Sequence, residues 1–403
     1  MQKSAGSYLR TLTLSALVLL SGVAFINWLV NPFSLFDPPT LTGINANKPG
    51  YIEHLRLTHA YRVASDKPDC IILGTSRAGR GLRPDHPALD HLDCYNLSLP
   101  AISMYEMLRY LQHAQAVGAL KLAIVAIDFR VMNAAPDRSG AFVEARLAAD
   151  ANGTAQRNPF AAWAPDMFAA LLSRSALEAS FDSVRRQGWV KDSLRRDGLW
   201  AQLDERFDHR AGFEAYTRNT LRRFAEARDA EGIFHANLEH FRSLVREAHA
   251  HRIDLRLLIP PSHAWHWQAL WQSGLWACFE DMKRALVRLN EEEARRAGRP
   301  AFVLLDFSGS LGPALEELPT ERDHKMSGFW EPVHFKTELG DRVLAEVMAQ
   351  APAAAVPEAF ATRLDASSLE GHLAQLRAHQ KDFETRHANV AEHIRELART
   401  ADR

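Results

Sequence analysis

The sequence predicts an α/β protein built on a three-layer, doubly wound parallel sheet. An N-terminal transmembrane helix precedes the sheet, a helical insertion interrupts it, and a helical tail follows it. Three observations predict this: an apolar run of about 20 residues near the N-terminus, five short apolar stretches that alternate with helix-like ones, and a long amphipathic segment at the C-terminus. Short, continuously apolar strands separated by helices are typical of parallel sheets covered on both faces.

The composition is that of a globular protein with a substantial core. The chain has 403 residues, of which 47% are hydrophobic, and 48 Lys and Arg residues balance 49 Asp and Glu residues. Proteins that bind nucleic acids carry an excess of basic residues or a basic stripe on their surface. The balanced charge of this chain therefore excludes nucleic acid from the expected partners. No motif implies a cofactor.

The first element is an apolar run from Thr11 to Val30 whose only strongly polar member is Asn27. Such a run is long enough to cross a hydrocarbon core of about 30 Å. Lys3 and Arg10 precede it, whereas Asp37 is the first charge after it. The positive-inside rule then predicts a single-pass protein of the bacterial inner membrane, with a cytoplasmic N-terminus and a periplasmic main domain.

A cleaved signal peptide is the alternative, because Gly22 and Ala24 are small enough to flank a cleavage site. The apolar pattern nevertheless continues to Val30, and Trp28 suits the outer membrane interface. The sequence therefore favours an uncleaved anchor over residues 1–31.

The predicted strands are five apolar stretches, at residues 69–76, 93–100, 121–129, 253–261 and 301–309. Their positions divide the α/β domain into two segments of the chain, 32–145 and 233–351, which are separated by a predicted helical insertion at 146–232. In such a sheet the ligand site lies beyond the carboxyl ends of the strands, where the strand order reverses.

The last segment, 352–403, carries apolar residues spaced by four, three and seven. This spacing predicts an amphipathic helix or helix pair. It packs back on the domain in one interpretation and contacts a protein partner in the other.

The three cysteines are Cys70, Cys94 and Cys278. Cys70 and Cys94 lie on predicted strands that can be neighbours, so a disulfide and two unpaired buried thiols are both open interpretations. No cysteine spacing matches a zinc site.

Ser76 follows the first predicted strand within "CIILGTS". This position puts a hydroxyl at the carboxyl edge of the sheet, where free backbone N–H groups can face an oxyanion. A serine in an ordinary turn is the alternative, since Ser and Thr are common after strands.

A second motif, "FWEPVHF", places Glu331 three residues before His334 and ahead of a predicted helix. A serine hydroxyl needs a base to take its proton, and the base needs a group that orients it. Glu331 and His334 can supply both functions; the alternative is a surface histidine with an unrelated acidic neighbour.

Together these motifs resemble the SGNH, or GDSL-like, hydrolase superfamily over about residues 66–130 and 250–350, by the order of its blocks. With the N-terminal anchor, "LGTSR" and "YNLSLPAISMYEM" are most similar to membrane-anchored SGNH-like acyltransferases of bacterial envelopes. The resemblance implies that Ser76 is the nucleophile, His334 the general base and Glu331 its orienting carboxylate. It also implies a backbone oxyanion donor near Ala101.

Two positions depart from the family pattern. Thr75 stands where the family usually has Asp, and Asp128 stands at or near the usual Asn of the third block. An ionised Asp accepts hydrogen bonds and does not donate them. Asp128 must therefore be protonated by burial, or another group such as Asn96 or Arg77 must supply the donor.

The segment 260–276 contains four tryptophans, among them Trp265 and Trp267. Indole rings can stack on sugars in a substrate groove; core packing or a membrane-facing belt is the alternative. His263 and His266 are three residues apart, but no third metal ligand accompanies them, so we expect no metal site.

The leading functional hypothesis is periplasmic acyl transfer or ester hydrolysis on a cell-envelope or exported polysaccharide. The second is a non-catalytic envelope scaffold that binds glycan or partner proteins. The third is that the serine and histidine motifs coincide in an unrelated α/β fold.

Overall fold

The computed structural model describes residues 2–133, 139–150, 152–156, 160–202, 207–227, 233–321, 324–349 and 360–401. Within these ranges the strands are β1 (Cys70–Leu73), β2 (Cys94–Asn96), β3 (Leu122–Ala126), β4 (Asp192–Leu194), β5 (Trp200–Gln202), β6 (Asp254–Ile259), β7 (Val303–Asp306) and β8 (Thr362–Arg363). The helices are α1 (Gln2–Val30), α2 (Leu55–Asp66), α3 (Ser76–Gly81), α4 (Met104–Val117), α5 (Phe129–Asn133), α6 (Phe160–Leu172), α7 (Arg174–Arg186), α8 (His209–Ala227), α9 (Ile233–His251), α10 (Ala264–Gln272), α11 (Trp276–Ala297), α12 (Thr337–Met348), α13 (Leu369–Arg386) and α14 (Ala388–Ala401).

The protein is a mixed α/β structure around a six-stranded, mostly parallel sheet. The strand order is β2-β1-β3-β6-β7-β8, and only β8 runs antiparallel to its neighbour. All five predicted strands are confirmed, each somewhat shorter than its apolar stretch. The order reverses at β1, because the chain moves to one side for β2 and to the other for β3. The carboxyl ends of β1 and β3 therefore border the expected ligand crevice.

The strands are apolar because both faces of the sheet are covered. Every residue of β1 and β3 is buried, which explains their continuous rather than alternating apolar pattern. Helices α4, α9 and α11 pack side by side, and α3 packs against α12. The sequence left open whether Cys70 and Cys94 are paired. In the strand register Cys70 lies opposite Cys94, and the two form a disulfide.

The sequence predicted a helical insertion at 146–232, whereas the structure shows both helices and a short hairpin there. The segment contains α6, α7 and α8, but also an antiparallel hairpin in which Leu194 of β4 pairs with Trp200 of β5. Each hairpin strand has only three residues, too few for an alternating pattern to identify. The expected end of the insertion, 228–232, lies outside the described residues.

Helix α1 is long and apolar enough to span a membrane, and within the described part of the chain it is the one helix that meets this test. Residues 6–22 are exposed along their whole length, unlike those of a core helix. Its last two turns, from Val23, pack against α6 and α7.

The C-terminal segment forms a helix pair that packs back on the domain, from α13 onward; its predicted start at 352–359 lies outside the described residues. Helix α13 contacts α10 and α11, and α14 contacts α8 and α10. The apolar seam is buried in these contacts, at Leu369, Leu373, Leu376, Phe383, Ile394 and Leu397. The structure thus supports the intramolecular interpretation of the seam rather than a surface for a partner.

The buried Asp306 links the sheet to α11 and to α13. The Asp306 carboxylate at the end of β7 lies 2.7 Å from Lys283 Nζ and accepts a 2.8 Å hydrogen bond from His372 of α13. These two partners hold the pKa of Asp306 well below its usual range against the opposing effect of burial.

Candidate active site

Ser76 is the first residue of α3, directly after the turn that ends β1. The preceding residue, Thr75, is the N-cap, and its hydroxyl accepts from the N–H of Arg77. Because α3 begins here, the Ser76 N–H has no helical acceptor. The sequence therefore places the half-buried Ser76 hydroxyl at the carboxyl edge of the sheet, as predicted.

The structure brings Ser76, His334 and Glu331 together. The Ser76 hydroxyl donates to Nε2 of His334 across 2.7 Å, and Nδ1 of the same ring donates to the Glu331 carboxylate. Glu331 is 1% exposed and also accepts from the N–H groups of Val333 and His334. These bonds orient the carboxylate, which in turn fixes the histidine tautomer that can take a proton from Ser76.

The loop that carries the triad histidine is rigidly held. Its two sides pair at Phe329 and Phe335, and the Trp330 N–H donates to the carbonyl of His334. The Phe335 ring packs so closely on Gly81 of α3 that a Cβ there would lie 2.0 Å from it. Glycine at position 81 thus permits the approach of α3 to the histidine loop.

Two backbone N–H groups beside the hydroxyl have no acceptor among the described residues: those of Ser76 and Ala101. Ala101 lines the same cavity as Ser76, with a backbone φ of 48°. This left-handed conformation is costly for a residue with a Cβ and recurs at functional sites. The free N–H groups are suited to stabilise an oxyanion.

In this structure the Asp128 carboxylate accepts hydrogen bonds from three neighbours and faces no oxyanion position as a donor. One carboxylate oxygen accepts from the Thr75 hydroxyl at 2.7 Å, and the other accepts from the N–H groups of Arg130 and Val131. Since every one of these partners is a donor, the group serves as an acceptor. Asp128 instead ties the end of β3 to the residue before the nucleophile.

Arg77 lies beneath the nucleophile and is buried. Its guanidinium donates to the Ser262 hydroxyl at 2.9 Å and to Nε2 of His266 at 3.1 Å, while Asp128 lies 3.9 Å away. Burial, with the neighbouring Arg77 charge, lowers the pKa of His266 well below its usual value. His266 is therefore the neutral acceptor that this arrangement requires.

A cavity of about 480 Å³ opens at Ser76 and His334. Its apolar lining includes Ile102, Val131 and Val333, and one wall comes from helix α8. On that wall lie Tyr216, Asn219 and Arg223, which sequence reasoning missed. Their spacing of three and four residues is that of one helix face, the only sequence signal that could have found them.

The other residues suggested as substrate contacts lie elsewhere. The Asn96 amide donates to the carbonyls of Ala78 and Leu82, so both of its hydrogens are already used to hold α3. The indole of Trp267 is 1% exposed and stacks on Phe279. Trp265 packs edge-on against Phe213. Neither tryptophan lines the cavity, so core packing is the correct interpretation of both.

His263 and His266, the spaced histidine pair, face different groups. His263 caps α10 and donates to the carbonyl of Glu316, whereas His266 contacts Arg77. Within the described ranges, no group of three or more His, Cys, Asp or Glu residues has an arrangement that could hold a metal ion.

No protein-family model, curated protein or solved structure matches the chain significantly.

Proposed function

We propose that the protein is a membrane-anchored, serine-dependent acyltransferase or esterase of the SGNH-like type, acting on a cell-envelope or exported polysaccharide. The observation that carries the proposal is the continuous hydrogen-bond chain from Ser76 through His334 to Glu331. A buried, oriented carboxylate behind a histidine and a half-exposed hydroxyl in front of it form the arrangement that nucleophilic acyl transfer needs.

The reaction follows from the contacts. Ser76 Oγ attacks the carbonyl carbon of an acyl ester as His334 Nε2 takes its proton, and the carbonyl oxygen becomes an oxyanion. The N–H groups of Ser76 and Ala101 receive that charge. Collapse expels the alcohol, which takes the proton from His334 and leaves an acyl group on Ser76. A sugar hydroxyl or water then attacks this acyl-enzyme as His334 takes its proton, and His334 returns that proton to Ser76 Oγ as the bond between Ser76 and the acyl group breaks.

The location proposed is the bacterial inner membrane, with the N-terminus in the cytoplasm and the catalytic domain in the periplasm. Two observations support it: the exposed apolar helix α1 and the disulfide between Cys70 and Cys94. Disulfides persist in oxidising compartments and are rare in the cytosol.

Labelling with a fluorophosphonate probe tests the proposal. The full chain in detergent micelles is treated with the probe and its intact mass is measured, for wild type, Ser76→Ala and His334→Ala. The exposed residues Ser367 and His91 provide matched controls as Ser367→Ala and His91→Ala. We expect one adduct on wild type and on both controls, and none on either triad variant.

Two outcomes would contradict the proposal. Folded wild-type protein that takes no adduct, or an adduct that survives Ser76→Ala, would contradict the catalytic role and favour a glycan-binding scaffold. If the adduct forms as expected, incubation with 4-nitrophenyl acetate, with and without an oligosaccharide acceptor, separates acyl transfer from hydrolysis by the product released.

A further inference from the structure

The polar residue of the membrane helix is used to bind two helices of the insertion. Asn27 is fully buried; its amide donates to the carbonyl of Leu171 at the end of α6, and its carbonyl oxygen accepts from the Ser180 hydroxyl of α7. An unpaired amide is costly in a bilayer. These two bonds satisfy Asn27 and join α6 and α7, the α6–α7 hairpin, to α1.

The position of this joint sets the depth of the hairpin. Residues 6–22 of α1 are exposed, and burial against the hairpin starts at Val23. From Val23 to Val30 the helix rises about 12 Å, at the end of the apolar run nearest the folded domain. If the run from Thr11 to Val30 spans the bilayer, this section lies in the outer part of the hydrocarbon core and the adjoining headgroup region.

The hairpin and the turn that follows it expose large apolar side chains. Phe168 of α6 is 68% exposed, Phe181 of α7 is 63% exposed, and Trp189, three residues beyond α7, is 86% exposed. Single exposed apolar residues need no explanation, but Phe168 and Phe181 belong to helices that pack on the membrane helix. Aromatic side chains are enriched where a membrane meets water.

The hairpin also carries exposed arginines, each paired with an acidic neighbour. The side chains of Arg174 and Arg185 are 90% and 84% exposed, and their partners, Glu178 and Asp182, are themselves at the surface. Over residues 160–186 three arginines balance three acidic residues, so the hairpin has no net charge. Each helix of the hairpin has 13 residues, too few to span a bilayer. A short element with exposed apolar side chains and a charged, polar face is suited to lie in the plane of a lipid interface.

We infer that the α6–α7 hairpin is a second membrane-binding element, seated in the outer-leaflet interface of a phospholipid bilayer. The inference depends on the proposed membrane anchor. Lipid is favoured over a second copy of the chain because the exposed Phe181 directly follows Ser180, which bonds to Asn27 in the section of α1 that leaves the bilayer. The hairpin thereby fixes the orientation of the domain relative to the membrane, which a single helix does not.

Lipid-dependent quenching tests the inference on the full chain in nanodiscs of phosphatidylcholine and phosphatidylglycerol, loaded at one copy per disc. Single cysteines labelled with bimane replace Leu17 of α1, Phe181 or Trp189 in a Cys278→Ser background. The natural Cys278, which is exposed on α11, provides the matched control in wild-type chain. Lipids that carry a nitroxide near the headgroup end of the acyl chain are the quencher for the labels at 181, 189 and 278. Lipids with the nitroxide at mid-chain are the quencher for the label at 17, which lies deeper in the proposed span.

We expect the labels at 181 and 189 to lose fluorescence by about twofold or more, and the label at 278 to be unchanged, since only interfacial groups reach the nitroxide. Quenching at 17 without quenching at 181 and 189 would overturn the hairpin inference and leave the anchor intact. No quenching at 17 would reject the anchor and the inference together. Cross-linking of 181 between two chains in micelles, with no lipid quenching, would assign the surface to a dimer instead. Unchanged thermal unfolding midpoints verify that each variant is folded.

Discussion

Gly340 of α12 lies directly against the carbonyl oxygen of Gly81 in α3, so close that a Cβ on residue 340 would be 1.7 Å from that oxygen. The backbone of the helix after the histidine loop therefore touches the backbone of the helix that begins with the nucleophile. This contact sets the distance between Ser76 and His334 from behind the site.

Gly340→Ala should separate α3 from α12. We expect a loss of about 1–3 kcal/mol in the free energy of unfolding, the usual effect of overpacking, and slower labelling of Ser76 by a fluorophosphonate. Both are measured on the full chain in micelles, by urea unfolding and by intact mass. Gly371→Ala is the matched control: residue 371 is also helical, and a Cβ there meets nothing within 4 Å. An equal response of the two variants would show that helix propensity, not the contact, is responsible.

Glu331→Gln should retain the fold but weaken the base. The neutral amide of Gln has one acceptor oxygen and can keep one of the hydrogen bonds that the carboxylate accepts. It does not stabilise the positive charge of the imidazolium that forms when His334 takes the proton. We expect the rate of Ser76 labelling to fall by about 10²–10⁴-fold, with the unfolding midpoint nearly unchanged. Glu338→Gln, at the exposed start of α12, should label at the wild-type rate. Wild-type labelling by Glu331→Gln would exclude an orienting role for that carboxylate.

Three buried histidines should make the fold sensitive to acid. Burial lowers the pKa of His59, His113 and His263 to about 4. Each donates from Nε2 to a backbone carbonyl and accepts at Nδ1 from an N–H or O–H group. Protonation at Nδ1 would break the second bond.

The free energy of unfolding should fall as the pH falls, because protonation of these histidines is linked to unfolding. Below pH 6.5 the unfolded chain binds a proton at each of these positions and the folded chain does not, until the pH reaches about 4. Each histidine should therefore remove about 3 kcal/mol of stability as the pH falls through this window. Urea unfolding at pH 7.5, 5.5 and 4.5 measures the loss. His113→Gln should reduce the slope, whereas His91→Gln, at the surface, should not; identical slopes in all three proteins would contradict the assignment.

Arg223 should favour esters that carry negative charge. It lies at the cavity wall and forms no ion pair within the described part of the chain, and Arg77 lines the same cavity. Arg223→Gln should lower kcat/KM for mono-4-nitrophenyl succinate by about 3–10-fold relative to 4-nitrophenyl acetate, by loss of one partly screened charge interaction. Arg218→Gln, on another face of α8 beside Thr400, is the control. Equal effects on both esters would show that Arg223 only shapes the wall.

The sheet and the triad could be predicted because each depends on a local signal. Parallel strands buried on both faces are continuously apolar, so all five were found. Ser76 follows a strand end, and Glu331 and His334 lie three residues apart, so the sequence identified all three as candidates before the structure showed their contact. The edge strand β8 and the hairpin β4–β5 were missed because two or three residues carry no periodicity.

The cavity wall could not be predicted for a different reason. Tyr216, Asn219 and Arg223 lie on an amphipathic helix far along the chain from Ser76, and nothing local says which face meets the site. The same holds for the tryptophans: clustering in sequence left a sugar platform and core packing both open, and the structure places Trp267 in the core. For Asp128 the sequence also left two possibilities open, because it shows the residue type but not the donors that surround it.

The contact between α14 and α8 has a consequence for biogenesis. Helix α8 supplies one wall of the cavity, and α14 packs along it. Synthesis proceeds from the N-terminus, so Ser76, Glu331 and His334 leave the ribosome before the helix that supports this wall. The cavity is therefore completed only after α14 has been released, and a chain truncated before α14 carries these three residues without a supported cavity wall.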